Sequence, residues 1–299
     1  MKKSPMLFRG GIFVIAATMF FTACSPAEKH EAAQTADSTA TADSAKPADI
    51  AVAVMKDIPA PSALPAMLEA TGVSFDKALP NKPAKAASYG KVSSTAAINL
   101  GIYTTDAGYY NMYNHHDDAA ASLNAAAKLG ESLNVGPAFG TILKSRLEKN
   151  LNNQDSLKTL SDDGVKMAYK FLNENERSST GALVGAGIFT EGLYISTSLV
   201  DKYPHDLSKE NRNMILSSLV RTITEQEKTL NDMIALLESV PQDDAIKSVL
   251  TKFKSLKTDF EALDVEEKIK SNKGDLVLND ATLKAIASKT AEIRAEFVK

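Results

Sequence analysis

The chain has 299 residues, with 34 Lys+Arg against 37 Asp+Glu, a formal net charge of −3 and a 44% hydrophobic share. That hydrophobic share excludes wholesale disorder, and the near-neutral balance lacks the basic face a nucleic-acid binder needs. A single cysteine excludes a disulfide framework and any multi-cysteine zinc site, while the absence of tryptophan and a 6% aromatic share tell against a stacking-type carbohydrate or nucleobase site.

Lys2, Lys3 and Arg9 precede an uncharged apolar run from Ile12 to Phe21. The run is too short for a membrane-spanning helix, which needs about 20 residues, and it suits the apolar region of an export signal. It ends in Phe21-Thr22-Ala23-Cys24, which resembles a lipobox. Residues 1–23 are therefore expected to be a lipoprotein signal peptide and Cys24 the acylated, palmitate-bearing residue. Cleavage there removes three of the 34 basic residues, leaving 31 against 37 acids, a formal −6. An acidic chain is repelled by an anionic membrane surface, so a lipid anchor has to hold it there. The expected address is the bacterial cell envelope, at the outer membrane.

Residues 24–59 are rich in Ala, Thr, Ser, Asp and Pro and lack aromatic residues. Such a segment buries too little surface to offset chain entropy, so it is expected to be a disordered tether. Eight of the eleven prolines lie before residue 84, and the last three, Pro137, Pro204 and Pro241, fall where helices should start or stop. An all-α domain is expected from residue 60 to 299, a bundle of seven to nine helices. Asp117 to Asn134 suits a helix ended by Gly136-Pro137, and Asp155 can cap a helix to about Asn175. Ser208 to Ser239 repeats apolar residues three and four apart, Val240-Pro241 interrupts it, and Ile246 to Leu263 resumes the spacing. That predicts an antiparallel helical hairpin. Asn279 or Asp280 can cap a last helix through Phe297, with its cations placed late as the helix dipole prefers.

Two segments are nearly free of charge. From Val92 to His115 the only charged residue is Asp106, and from Ser178 to Val200 it is Glu191. A helix without charge all round is buried all round, so these should be the two central helices. Glycine inside a helix costs about 1 kcal/mol relative to alanine. The seven-residue spacings Gly101–Gly108 and Gly185–Gly192 therefore predict close backbone approach. The twenty residues from Gly181 to Val200 are too polar, and carry Glu191 too centrally, to read as a membrane span.

Asn99, Tyr103, Asp106, Tyr110, Tyr113 and Asp117 follow one another at helical steps of four and three, forming one stripe on a face different from that of Gly101. Glu191 has Tyr194 and Ser198 on its own face. Asn99, Tyr103, Asp106, Tyr110, Tyr113, Glu191 and Tyr194 are thus the candidate ligand-pocket residues. The structural alternative is that core tyrosine hydroxyls satisfy buried carboxylates, with Arg212 or Arg221 as possible counter-charges. An acid–base pair of Asp106 and Glu191 is a third reading.

Other motifs are missing. His115-His116-Asp117-Asp118 has the wrong spacing for a helical metal site and is expected at a solvated helix junction. No metal or cofactor is expected. There is no Glu-x-x-His, His-Glu-x-x-His, Gly-x-Ser-x-Gly or phosphate loop, and no thiol nucleophile beyond Cys24.

Asn99-Leu100-Gly101-Ile102-Tyr103-Thr104-Thr105-Asp106, Gly187-Ile188-Phe189-Thr190-Glu191-Gly192-Leu193-Tyr194-Ile195, and the close from Asn279-Asp280-Ala281-Thr282-Leu283 to Glu292-Ile293-Arg294 resemble an uncharacterised family of helical envelope lipoproteins of Bacteroidetes-type bacteria. The resemblance spans residues 85–299 and implies export and an all-α fold, with no activity to carry over. The expectation is a lipid-anchored, non-enzymatic binding or scaffolding protein. Its partners would be the membrane, through the anchor, and an envelope protein or small molecule. The alternatives are a small-ligand carrier using the tyrosine stripe and an acid–base hydrolase.

Overall fold

The computed structural model describes residues 73–135, 145–146, 154–201, 208–263 and 279–299, with 265, 267, 271 and 273 between the last two. The signal segment, Cys24, the tether, the boundary at residue 60 and Gly136-Pro137 lie outside the described residues. Within them there are eight α-helices and no strand, the all-α bundle that the periodicity predicts. The short α1 (Ala86–Tyr89) follows a 3-10 turn (Pro83–Lys85). Then come α2 (Ser93–Met112), α3 (His116–Ser132), α4 (Gln154–Glu174) and α5 (Ser178–Asp201). The last three are α6 (Lys209–Ser239), α7 (Asp244–Glu261) and α8 (Ala281–Phe297).

Capping follows the chemistry of the boundaries. The Asp243 carboxylate accepts from the Ile246 amide at 2.8 Å and starts α7, just after the Val240-Pro241 break. The Asp280 carboxylate accepts from Thr282 and Leu283 and starts α8. Each satisfies amides that would otherwise have no partner at a helix start. At the other junction Asn114 adopts φ 62°, a left-handed conformation that asparagine tolerates. The chain therefore leaves α2 at Met112 and begins α3 at His116. This corrects one expectation: Asp117 opens α3 and does not continue the α2 stripe.

The two charge-poor helices are the centre of the bundle. Every residue from Ala96 to Met112 and from Gly181 to Leu193 is buried. α2 packs on α3, α4 and α5; α5 packs on α2, α6 and α8; α6 and α7 pair as the hairpin. Both central helices carry many hydroxyl residues, and four of the buried ones bond back into their own helix. Thr104 and Thr105 donate to the carbonyls of Leu100 and Gly101 at 3.0 and 3.1 Å, and Ser196 and Thr197 to Gly192 and Leu193 at 2.8 and 2.9 Å. A hydroxyl satisfied within its own helix is tolerated in a core, so full burial needs no apolar composition. α5 is also the one described helix apolar and long enough to cross a membrane, yet 89% of that stretch is buried inside the protein.

α2 and α5 cross backbone to backbone. A Cβ on Gly101 would fall 2.8 Å from the Ile188 amide nitrogen, and one on Gly187 2.9 Å from the Ile98 carbonyl carbon. The close approach is as predicted for Gly101. On the facing helix it falls on Gly187, two residues beyond the predicted Gly185. Gly101→Ala should lower stability by about 1–3 kcal/mol through overpacking, although alanine is the better helix former by about 1 kcal/mol. Chemical denaturation measures this, and an unchanged or raised midpoint would contradict the crossing.

Candidate functional site

The glycine crossing brings the two lone acids together. Asp106 and Glu191 each lie about one turn beyond the glycine of their own helix. Neither carboxyl group is exposed, and each lies within reach of the other's charge. Arg294 of α8 supplies the counter-charge. Its Nε donates to Glu191 Oε2 at 2.9 Å and its Nη2 to Glu191 Oε1 at 3.0 Å, the two-pronged geometry that an arginine fork makes with a carboxylate. The guanidinium also lies over the Tyr194 ring, 4.7 Å from its centroid. Arg221 is exposed on α6, and Arg294 takes the counter-charge role that Arg212 or Arg221 was expected to fill; the Arg212 side chain lies outside the described residues.

Asp106 is the protonated partner. Burial first, and the Glu191 carboxylate second, hold its carboxyl well above the usual range, against the pull of Arg294. Geometry agrees: Oδ2 accepts the Asn81 amide at 3.0 Å, while Oδ1 has no donor to accept from. A proton on Oδ1, given to Glu191, removes that orphaned acceptor. The cluster then contains a neutral acid, a carboxylate and a guanidinium, with no net charge, which is what a dry interior tolerates. For Arg294, burial opposes the charge, but the Glu191 carboxylate outweighs it and raises the group further.

Residues 73–82 form a strap across the tyrosine stripe. The Tyr109 hydroxyl accepts the Asp76 amide at 2.8 Å, Tyr113 donates to the Val73 carbonyl at 2.6 Å, and Tyr103 donates to the Lys82 carbonyl at 2.8 Å. Asp106 takes the Asn81 amide, and Arg294 Nη2 donates to the Leu79 carbonyl at 3.1 Å. Phe75 stacks on Tyr109 and His115, with ring centroids 5.4 and 4.0 Å away, and meets Tyr113 at 5.4 Å and Tyr110 at 5.9 Å. Burial, with Asp106 and Asp118 nearby, pushes the Tyr110 hydroxyl up to about 12. The His115 side chain is exposed at the junction, as expected, with one ring face against Phe75, and His116 Nδ1 lies 3.2 Å from Asn111 Oδ1. No group of three or more metal-ligating side chains occurs among the described residues.

Asn99 works at the other end of the stripe. Its amide donates to the Thr95 and Phe297 carbonyls, and Asn81 donates to its side-chain oxygen at 3.4 Å. Tyr89 and Lys85 both donate to the Val298 carbonyl at 2.9 Å. Of the candidate residues, Tyr103, Asp106, Tyr110 and Tyr113 line the strap's bed. Asn99 ties α2 to the end of α8, and Glu191 and Tyr194 hold Arg294. The sequence reading missed Arg294, Asn81, Tyr109 and Phe75. One signal was available for Arg294: it is the single arginine of a helix whose other cations are Lys284 and Lys289.

No protein-family model, no curated protein and no solved structure matches the chain.

Proposed function

We propose that this chain is a lipid-anchored domain of the bacterial cell envelope, directed to the outer membrane through Cys24, with a binding or scaffolding role rather than a catalytic one. The observation that carries the role is the engagement of the chemically capable groups. Asp106, Glu191, Arg294, Tyr103, Tyr109 and Tyr113 are bonded to one another or to the backbone of residues 73–82, at a site the strap covers. Such an arrangement favours a stiff, pre-organised body, the property a binding surface needs. The anchor rests on the single cysteine placed at the end of the export signal.

Cys24→Ser tests the anchor. The wild-type chain should sediment with membranes and carry an acylated Cys24 by mass spectrometry, while the variant should appear in the soluble fraction or remain uncleaved. A variant that stays acylated and membrane-bound rules the anchor out. Crosslinking in the host cell, followed by identification of the captured protein, tests the binding role.

A further inference from the structure

The charge of the chain is unevenly laid out. Residues 77–116 hold four lysines, Lys77, Lys82, Lys85 and Lys91, and one acid, Asp106, whereas residues 117–299 hold 24 basic against 28 acidic residues. Asp106 is buried as a neutral acid and adds nothing to the surface, while all four lysines are exposed. The fold sets them in a row. The chain from Val73 to Lys82 runs back along α2, meeting Tyr113, Tyr109, Asp106 and Tyr103 in turn, and α1 then leads it into the start of α2 at Ser93. Lys77 to Lys91 therefore form a ridge over most of the outer side of α2, roughly 20 Å long. Among the described residues no acid pairs with Lys77, Lys82 or Lys91. Lys85 bonds the Val298 carbonyl. The acids that neighbouring segments bring lie at the edges. Asp76 precedes the first lysine and holds the Ala78 amide. α3 brings Asp117 and Asp118 to the Phe75 end, and Glu131 to the Gly90 end with Lys128 three residues before it. The end of α8 brings Glu296, which Lys252 pairs at 3.1 Å. Val92, 56% exposed, stands between Lys91 and Ser93 where the ridge meets α2.

We propose that this ridge is the membrane-facing side of the protein: Lys77, Lys82, Lys85 and Lys91 lie on an anionic phospholipid surface, Val92 enters its headgroup layer, and together they fix how the anchored domain stands on its membrane. The acidic total of the chain does not oppose this. Screening confines exposed charges to a range of about 8 Å at physiological salt, less than the thickness of one helix with its side chains, about 10 Å. A lipid surface therefore feels the row against it and not the acids behind. Each lysine held near such a surface strengthens binding about five-fold. An acidic polypeptide would attract the same lysines, but two observations favour lipid. The ridge is the first part of the described structure that the chain reaches after Cys24, and an exposed valine beside lysines matches a layer that is charged outside and apolar beneath. The proposal deepens the lipid-anchor reading and rests on it for the presence of the membrane. Its assay omits the acyl chain, so failure of the ridge and failure of the anchor are separate results.

The test uses the chain from residue 24 with Cys24→Ser, and sedimentation with vesicles of phosphatidylglycerol and phosphatidylethanolamine or of phosphatidylcholine alone. Binding to the anionic vesicles at low ionic strength should exceed binding to the neutral ones by about ten-fold or more, and should collapse as salt is raised. The triple variant Lys77→Glu, Lys82→Glu, Lys91→Glu spares the Lys85 contact and should lose roughly ten-fold or more of that binding. A control triple of Lys166→Glu, Lys247→Glu and Lys284→Glu, all exposed and away from the ridge, changes the total charge equally and should keep most of it. Val92→Asn should cost about three-fold at every salt concentration, through lost apolar contact. Both triples should melt with the parent chain, since surface charges away from buried pairs matter little to stability. Equal binding to the two vesicle types, equal losses in the two triples, or indifference to Val92→Asn would each overturn the proposal. Capture of the chain by immobilised polyglutamate through the same three lysines, with no vesicle binding, would assign the ridge to an acidic polypeptide and overturn the lipid partner.

Discussion

Arg294→Met should be the most damaging single substitution outside the apolar core. Glu191 is fully buried, and Arg294 donates to both of its carboxylate oxygens. Removing one member of a buried pair leaves an uncompensated charge and typically costs about 3–5 kcal/mol. For a domain of this size each kcal/mol lowers Tm by about 2–4 °C, so the melt should fall by about 6–20 °C. The damage should extend to the strap, because Nη2 of the same guanidinium holds the Leu79 carbonyl. Arg294→Lys keeps the charge and loses the fork, and should lie between the two. The double variant Glu191→Gln with Arg294→Met removes both charges and should recover part of the loss, so the cycle reads the coupling directly. A melt of Arg294→Met within about 2 °C of wild type would show that the pair does not hold the bundle.

Asp106→Asn should have the opposite sign at neutral pH. The wild-type acid is neutral in the folded state, so asparagine keeps the shape and keeps a donor toward Glu191. The difference lies in the unfolded chain, where aspartate ionises near pH 3.9 and asparagine does not. Because the folded-state carboxyl sits well above that value, the native state holds a proton that the unfolded state has lost. The stability Asp106 contributes is complete below about pH 3.9. It declines by about 1.4 kcal/mol per pH unit as the pH rises toward the folded-state value. Asparagine carries no such penalty. The variant should therefore match or fall below wild type near pH 4 and overtake it as the pH approaches 7. Denaturant melts of both chains between pH 4.5 and 8 check this, with exposed acids cancelling in the difference. A difference that does not vary with pH would place the proton elsewhere.

These two predictions separate acids that looked alike in the sequence. Asp106 and Glu191 are each the lone charge of a long apolar stretch, and that alone announced their burial. It did not say which keeps its charge. The choice depends on Arg294, more than 100 residues from Glu191 in the chain and on a different helix. On the page Arg294 reads as an ordinary late-helix cation. Periodicity reports which face of a helix is inward and is silent about which helix lies opposite.

The same division runs through the rest of the molecule. The helices around α2 and α5, the breaks at Pro241 and Asp280, and the central place of the two charge-poor segments were all legible, because capping, helical spacing and charge exclusion are local properties. The close helix crossing was legible in kind, since glycine in a helix interior needs a reason. Its register was not, and the contact chose Gly187 because the partner residue is set by the tilt of two helices. The tyrosine stripe was visible as a stripe from Asn99 to Tyr113, but its occupant was not. Residues 73–82 have no period to read: their order comes from hydroxyls, a carboxyl and a guanidinium that bind backbone atoms, and backbone atoms are the same in every sequence. Only the folded chain, by placing that segment over α2, could decide what the tyrosines and the two acids are for.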